Sequence, residues 1–269
     1  MIKEDGASIL DVLREKCSIL ISSCDSYSDL WLPFCKTLER HWPDRGMDTF
    51  ILSETKTAEI KHVQFINSGV VKNDWSRNLE HALQSVQTKY VCLMLEDFFL
   101  RSDVDQSVFH DVIKFADSHD ADMVRLLKKP TLHEPAFMQN NIALKISMHA
   151  PYRVSCQASL WRRTSLIQLV KAGESAWEFE RYGSERSVEL GFEHYTCKAT
   201  VLPYFHHVVE RGRWFPWDAS HFGRQNIGCD FVSRNVMSWS YGFFWLVRKS
   251  VLNLKRRMKL LKIRLLHGV

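Results

Sequence analysis

No stretch of eighteen apolar residues occurs in the 269-residue chain, so a membrane-spanning helix is not expected. The opening segment MIKEDGASILDVLREK carries acidic residues and no apolar centre, which is unlike a secretory leader. CxxC pairs are missing. The seven cysteines (Cys17, Cys24, Cys35, Cys92, Cys156, Cys197 and Cys229) are odd in number and widely spaced. That pattern suits neither a disulfide framework nor a zinc ribbon and points to reduced thiols in a cytoplasmic protein. Internal repeats and low-complexity linkers are also lacking. Disorder is excluded by what is present: aromatic residues make up 12% of the chain, with nine Trp and sixteen Phe, which argues for a buried core.

Acidic residues are absent from one end. From Leu246 to Val269 there is no Asp or Glu, but there are eight basic residues: Arg248, Lys249, Lys255, Arg256, Arg257, Lys259, Lys262 and Arg264. The rest of the chain holds 28 basic and 31 acidic residues, so the whole positive excess belongs to the tail. Apolar residues recur there as Val247, Val251, Leu254, Met258, Leu261 and Leu265, at steps of four and three, which is one stripe on a helix. Phe243, Phe244 and Trp245 stand just ahead of it. Such a helix fits the plane of an anionic membrane, here the inner face of the membrane for a cytoplasmic, peripheral protein. Packing on the domain body, or pairing with a second copy as a homo-oligomer, are the other uses of the stripe. Nucleic acid is not expected, because no recognition motif accompanies the charge. The chain divides into a compact domain over residues 1–235 and a basic amphipathic helical segment over 236–269.

Periodicity orders the compact domain. Ser18–Ser22, DTFILSE, KHVQFIN, YVCLMLEDFFL and ADMVRLL read as strands. DLWLPFCKTLERHWPD, NDWSRNLEHALQSVQTKY and SVFHDVIKFADSHD read as helices between them. The alternation predicts an α/β domain with a mostly parallel sheet. In the second half, YRVSCQASLWRR reads as a strand entering a helix through SLIQLVKAG, ESAWEFERYGSERSVELG as short and charged, and KATVLPYFHHVVERGRW as strand and turn.

YVCLMLEDFFL is the strongest apolar run and ends in two carboxylates, Glu96 and Asp97. In open α/β sheets ligands sit outside the carboxyl ends of strands. Hard carboxylates there suit Mg²⁺ or Mn²⁺ carrying a diphosphate; an ordinary polar strand end is the plainer reading. Taken in order, ILISSCDSYSDLWLPFCKTLERHWPD, DWSRNLEHAL, YVCLMLEDFFL, SCQASLWRR with GESAWEFERYGSER, and VERGRW make the chain resemble bacterial glycosyltransferases of the GT-A type that build surface polysaccharide and lipopolysaccharide. The resemblance implies a GT-A-like, Rossmann-type mixed and mostly parallel sheet flanked by helices, to which the tail's own pattern adds the basic amphipathic C-terminal helix. Where that family carries an Asp-x-Asp motif, this chain has Glu96-Asp97-Phe98-Phe99. The resemblance points first to Asp97 for the metal-diphosphate, with Glu96 beside it and a late His, His206, completing the metal shell. It places Ser23, Asp25 and Tyr27 after the first strand, and Glu54 after the second, around the donor nucleotide. Asp25 equally forms a turn or a helix start.

Trp75 and Asn78 open a helix whose N-terminus suits phosphate or ribose oxygens, although Asp74 also serves as a plain cap and Trp75 as core. Gln157 is placed to bind sugar, and Arg211 to meet the diphosphate as a forked cation. Transfer with inversion needs a general base, and GESAWEFERYGSER offers Glu178 and Glu180. Ser175 and Glu178 have capping-box spacing, and on a helix Glu180 points roughly 200° away from Glu178, so one of the two faces a given cleft. Solvated ion pairs are the plainer reading of both. The expected activity is transfer of a sugar from a nucleotide-sugar donor to a saccharide or lipid-linked acceptor. The alternatives are a nucleotidyltransferase of sugar activation, for which the glycine-free SSCDSYSD loop is unusual, and an inactive membrane-docked binding protein with the same fold.

Overall fold

The computed structural model describes residues 8–69, 74–128 and 141–267. The elements are α1 (Ile9–Lys16), β1 (Cys17–Ser22), a 3-10 turn (Asp25–Leu30), α2 (Trp31–His41), β2 (Thr49–Ser53), β3 (Gln64–Asn67), α3 (Trp75–Ser85), β4 (Tyr90–Leu95), α4 (Gln106–Ser118) and β5 (Met123–Arg125). There follow β6 (Ala143–Lys145), β7 (Ser159–Arg162), α5 (Arg163–Leu169), α6 (Ala176–Glu189), β8 (His194–Cys197), β9 (Val209–Glu210), β10 (Arg213–Trp214), α7 (Pro216–Gly223) and α8 (Trp239–His267). Side chains of Arg256, Arg257, Lys259, Leu261, Lys262, Arg264 and Leu265, all named in the tail above, lie outside the described set.

Among the described residues eight strands form one mixed sheet in the order β3-β2-β1-β4-β7-β5-β8-β6. Strands β1 to β4 are mutually parallel, β7 runs against both β4 and β5, β8 is parallel to β5, and β6 runs against β8. Six of the eight therefore share one direction. Every residue of β1 is buried, because successive side chains feed two cores on opposite faces of the sheet. Ile19 and Ile21, with Cys92 and Met94 of β4, pack with Phe34 and Leu38 of α2 and Phe109 and Ile113 of α4. Leu20, Val91 and Leu93 pack with Leu79 and Leu83 of α3, Leu166 of α5 and Phe179 of α6.

The second half departs from the sequence reading in three places, each with a physical cause. The strand expected across YRVSCQASLWRR covers only Ser159–Arg162. Its earlier amides bond to side chains of α6 instead of a neighbouring strand: Val154 N–H donates to Ser184 Oγ at 3.0 Å and Cys156 N–H to Glu180 Oε1 at 2.7 Å. The short, charged segment is a fourteen-residue helix, α6, whose buried stripe is Phe179, Gly183 and Ser187. Two of those three residues are small and not apolar in the usual sense, so the stripe leaves little hydrophobic periodicity. The strand of the third region lies earlier, as β8, and ERGRW forms the tip and return of the β9–β10 ribbon.

Candidate active site

The sheet order reverses at β1. Strands β2 and β3 extend to one side of it and β4 lies on the other, with Ser22 paired to Leu95 at the carboxyl ends. Such a reversal opens a crevice beyond the strand ends. Two loops leave the sheet there, one after Ser22 and one after Leu95.

The first loop is held by its own side chains. Trp75 Nε1 donates to Ser22 Oγ at 3.0 Å and Trp31 Nε1 to Ser23 Oγ at 2.7 Å. The Asp25 carboxylate accepts from the amides of Glu54 (3.1 Å), Thr55 (3.2 Å) and Lys56 (3.1 Å) and from Thr55 Oγ1 (2.6 Å). Glu54 answers by accepting from the Asp25 amide. Burial alone would raise the Asp25 carboxyl, but these donors hold it below the usual carboxylate range. Asp25 and Glu54 thus tie the β1 and β2 loops together, Ser23 is held to α2 through Trp31, and the Tyr27 ring of the same turn is half-buried. The Tyr27 phenol is raised by burial first and then by Glu96. The guanidinium of Arg234 lies over its ring, 4.3 Å from the centroid. Arg234 also forks onto Asp29, with both N–H···O distances 2.7 Å, and donates to the Ser26 carbonyl at 2.8 Å.

The second loop presents the acids. Phe98 N–H turns back to the Leu95 carbonyl at 3.1 Å, a bend that ends the strand alternation and lets Glu96 and Asp97 both sit under cover, 9% and 8% exposed. Asp97 Oδ2 lies 3.2 Å from His207 Nδ1, while Oδ1 is buried and has no hydrogen-bond partner among the described residues. Glu96 is pushed up to about 8, by burial first and then by the Asp97 charge. One wall of the site is aromatic: Phe98 stacks on Tyr204 at 4.4 Å, and Tyr204 donates to Gln157 Oε1 at 3.1 Å. Gln157 stands two residues before Ser159, which pairs with Leu93, so it lies beside the end of β4.

The other expected residues are placed as follows. His206 is exposed, parallel to Tyr204 at 6.4 Å and perpendicular to His207 at 4.1 Å. The imidazole beside Asp97 is His207, one residue on. Trp75 packs on Phe179 at 5.2 Å, and buried Asn78 accepts from Ser68 Oγ at 2.7 Å. Glu178 is exposed and closes the capping box with Ser175, whose donors hold its carboxyl below the usual range. Glu180 is half-buried and accepts from the Cys156 amide through Oε1, next to Gln157; its Oε2 carries no hydrogen bond among the described residues. Arg211 is exposed at the β9–β10 tip, its guanidinium 5.1 Å from the Trp245 ring of α8 and not at the acid pair. Sequence pattern does not mark Arg234 and Tyr204, because their partners lie 205 and 47 residues away and no local periodicity includes them.

A buried, unpartnered carboxylate oxygen beside a carboxyl raised above neutrality marks a place short of positive charge. A hard divalent cation held through Asp97 fits that shortage, with phosphate and water completing its shell. Among the described residues no group of three or more His, Cys, Asp or Glu is arranged to hold an ion unaided. Two surface hollows lie elsewhere. One of about 510 Å³ is bordered by Lys171, Glu174, Tyr182 and Arg186, and one of about 220 Å³ by Lys145, Arg153, Ser187 and Phe192. Neither includes a residue of the acid pair, and the raised Glu96 and unpartnered Asp97 oxygen weigh more than concavity in locating chemistry.

No family model and no curated protein matches the chain. Several solved structures do. S. aureus TarS 1-349 is 12% identical over 70% of this chain and 59% of that one, with a TM-score of 0.46. The bifunctional IspDF from Campylobacter jejuni is 14% identical over 67% and 49%, with a TM-score of 0.39. The 2-C-methyl-D-erythritol 4-phosphate cytidylyltransferase from Thermus thermophilus is 11% identical over 78% and 98%, with a TM-score of 0.44. This chain thus spans between about half and three-fifths of the first two structures it matches.

Proposed function

We propose that the chain is a glycosyltransferase that moves a sugar from a nucleotide-diphosphate sugar onto a saccharide acceptor, lipid-linked in surface polysaccharide assembly. The observation that carries this reading is the buried Asp97 at the sheet reversal, with one oxygen unpartnered. In this reading the donor's base lies against Tyr27, in the loop clamped by Asp25 and Arg234, and its diphosphate reaches Asp97. A bound Mg²⁺ or Mn²⁺ would supply positive charge to the departing diphosphate. Glu96, protonated near neutrality, donates a hydrogen bond in place of adding a second negative charge. Glu180 takes the proton from the acceptor hydroxyl as its oxygen bonds the anomeric carbon and the carbon–phosphate-oxygen bond breaks, its electron pair leaving on the nucleoside diphosphate. Nucleotidyl transfer would use the same carboxylate end. The absence of glycine from Ser22 to Trp31 favours sugar transfer, because a phosphate-wrapping loop needs glycine's close backbone approach.

A thermal-shift screen of UDP, GDP, CMP and dTDP sugars, with and without Mn²⁺, tests the reading. A cognate donor at about a hundred times its Kd stabilises by roughly 2.7 kcal/mol, which raises Tm by about 5–10 °C at this chain length. No shift with any of them would overturn it. The base assignment has its own check. Glu180→Gln should lower kcat by about 10²–10⁴-fold and Glu178→Gln should leave it nearly unchanged, since Glu178 already closes a helix cap. Equal losses in the two variants would remove Glu180 from the role.

A further inference from the structure

Helix α8 leaves the domain with its apolar stripe turned outward. Gly242, Trp245 and Lys249 face the body. A Cβ at Gly242 would stand 3.0 Å from Pro216 Cδ and Trp217 Cζ3, Trp245 is buried with Phe215 and Met237, and Lys249 pairs with Glu210 at 3.6 Å. Trp239, Phe243, Val247, Val251, Leu254 and Met258 occupy the other side, about 150° round the helix at ~100° per residue. Each of these six is between 48% and 66% exposed. The domain therefore does not cover these six side chains, which carry the predicted stripe back by about two turns, through Phe243 to Trp239.

We propose that this face docks on the surface of an anionic lipid bilayer. Charge complementarity selects the occupant. The sequence of α8 contains no acidic residue and eight basic ones, so a second copy of the helix would set like charge beside like charge, whereas anionic headgroups neutralise it. Lys and Arg stems reach from an apolar face to the headgroup level, and exposed Trp239 and Phe243 are side chains that settle at the acyl boundary. None of the described helices is long and apolar enough to cross a membrane, so α8 would lie in the surface plane. The inference does not depend on the transferase reading, and nucleotide-sugar binding can be measured without lipid.

The test is co-sedimentation of the full chain with vesicles of phosphatidylcholine alone or mixed with phosphatidylglycerol. The protein should bind the mixed vesicles, bind phosphatidylcholine weakly, and be released as salt rises. Phe243→Ser, Val247→Ser and Leu254→Ser together should lower the partition coefficient roughly tenfold or more, with helix content and Tm preserved. Failure of the full chain to bind mixed vesicles, equal binding to both vesicle types, or unchanged binding by the triple variant would each overturn the proposal. So would a lipid-free dimer in sedimentation equilibrium that the triple variant dissociates, because the face would then belong to a second copy of the chain.

Discussion

Asp97→Asn is expected to lower transfer by about 10³-fold or more and to raise stability in alkaline solution. The activity loss follows from deleting the charge at the unpartnered oxygen while keeping the shape of the side chain. The stability gain follows from Glu96. Its folded pKa of about 8 lies above the ordinary 4.5, so the native state keeps a proton that the unfolded chain releases. That contribution is complete below the unfolded value and is lost as pH rises through about 8. Removing the Asp97 charge takes away the second cause of the shift and leaves burial, the first. The loss should therefore shrink by about 1 kcal/mol, or roughly 2–4 °C in Tm, at pH 9 and not at pH 5. Melting curves at the two pH values, run beside a transfer assay, separate the effects. Unchanged turnover would remove Asp97 from the site, and an equal Tm change at both pH values would remove its coupling to Glu96.

Much of this arrangement was legible from local pattern, and the limit of legibility is physical. Strands β1, β2, β4 and β5 and helices α2 to α4 each bury apolar residues of their own, and β3 half-buries Phe65 and Ile66. Their apolar residues recur at a readable period, and the acid pair falls where the strongest run stops. Residues 151–158 and helix α6 do not work that way. Their backbone and side chains satisfy one another, through Cys156 with Glu180 and Val154 with Ser184, and the buried face of α6 is made largely of Gly183 and Ser187. Residue type was readable in the first loop, and residue use was not. Asp25 has the chemistry of a ribose acceptor, yet its oxygens are occupied by three amides and a hydroxyl from 54–56, contacts that only the pairing of β1 with β2 creates. The same holds for the two histidines. The sequence places His206 and His207 side by side, and only the turn after Tyr204 decides which ring meets Asp97.

Arg234→Ala should be the most destabilising single change at this site, by about 3 kcal/mol, equivalent to a Tm drop of roughly 6–12 °C. Arg234 is 9% exposed, and its removal leaves Asp29 without its forked partner, the Ser26 carbonyl without a donor, and Tyr27 without the cation over its ring. Because Asp29, Ser26 and Tyr27 all belong to the 3-10 turn after β1, the loosening falls on the loop assigned to the nucleotide. Donor affinity should weaken about tenfold for the loss of that one stacked, charged support. Arg234→Lys should recover little, since an ammonium neither forks onto a carboxylate nor stacks flat on a ring. A double-mutant cycle gives the decisive readout. With Asp29→Asn already in place, Arg234→Ala should cost much less than it does alone, because the two residues act as one unit. Strict additivity of the two changes, in Tm and in donor affinity alike, would show that the pair does not hold the turn. Arg234 would then be a buried charge with another purpose, and the loop after β1 would owe its shape to the Asp25 clamp, the Lys56 contacts with Asp25 and Ser28, and the two tryptophan–serine bonds.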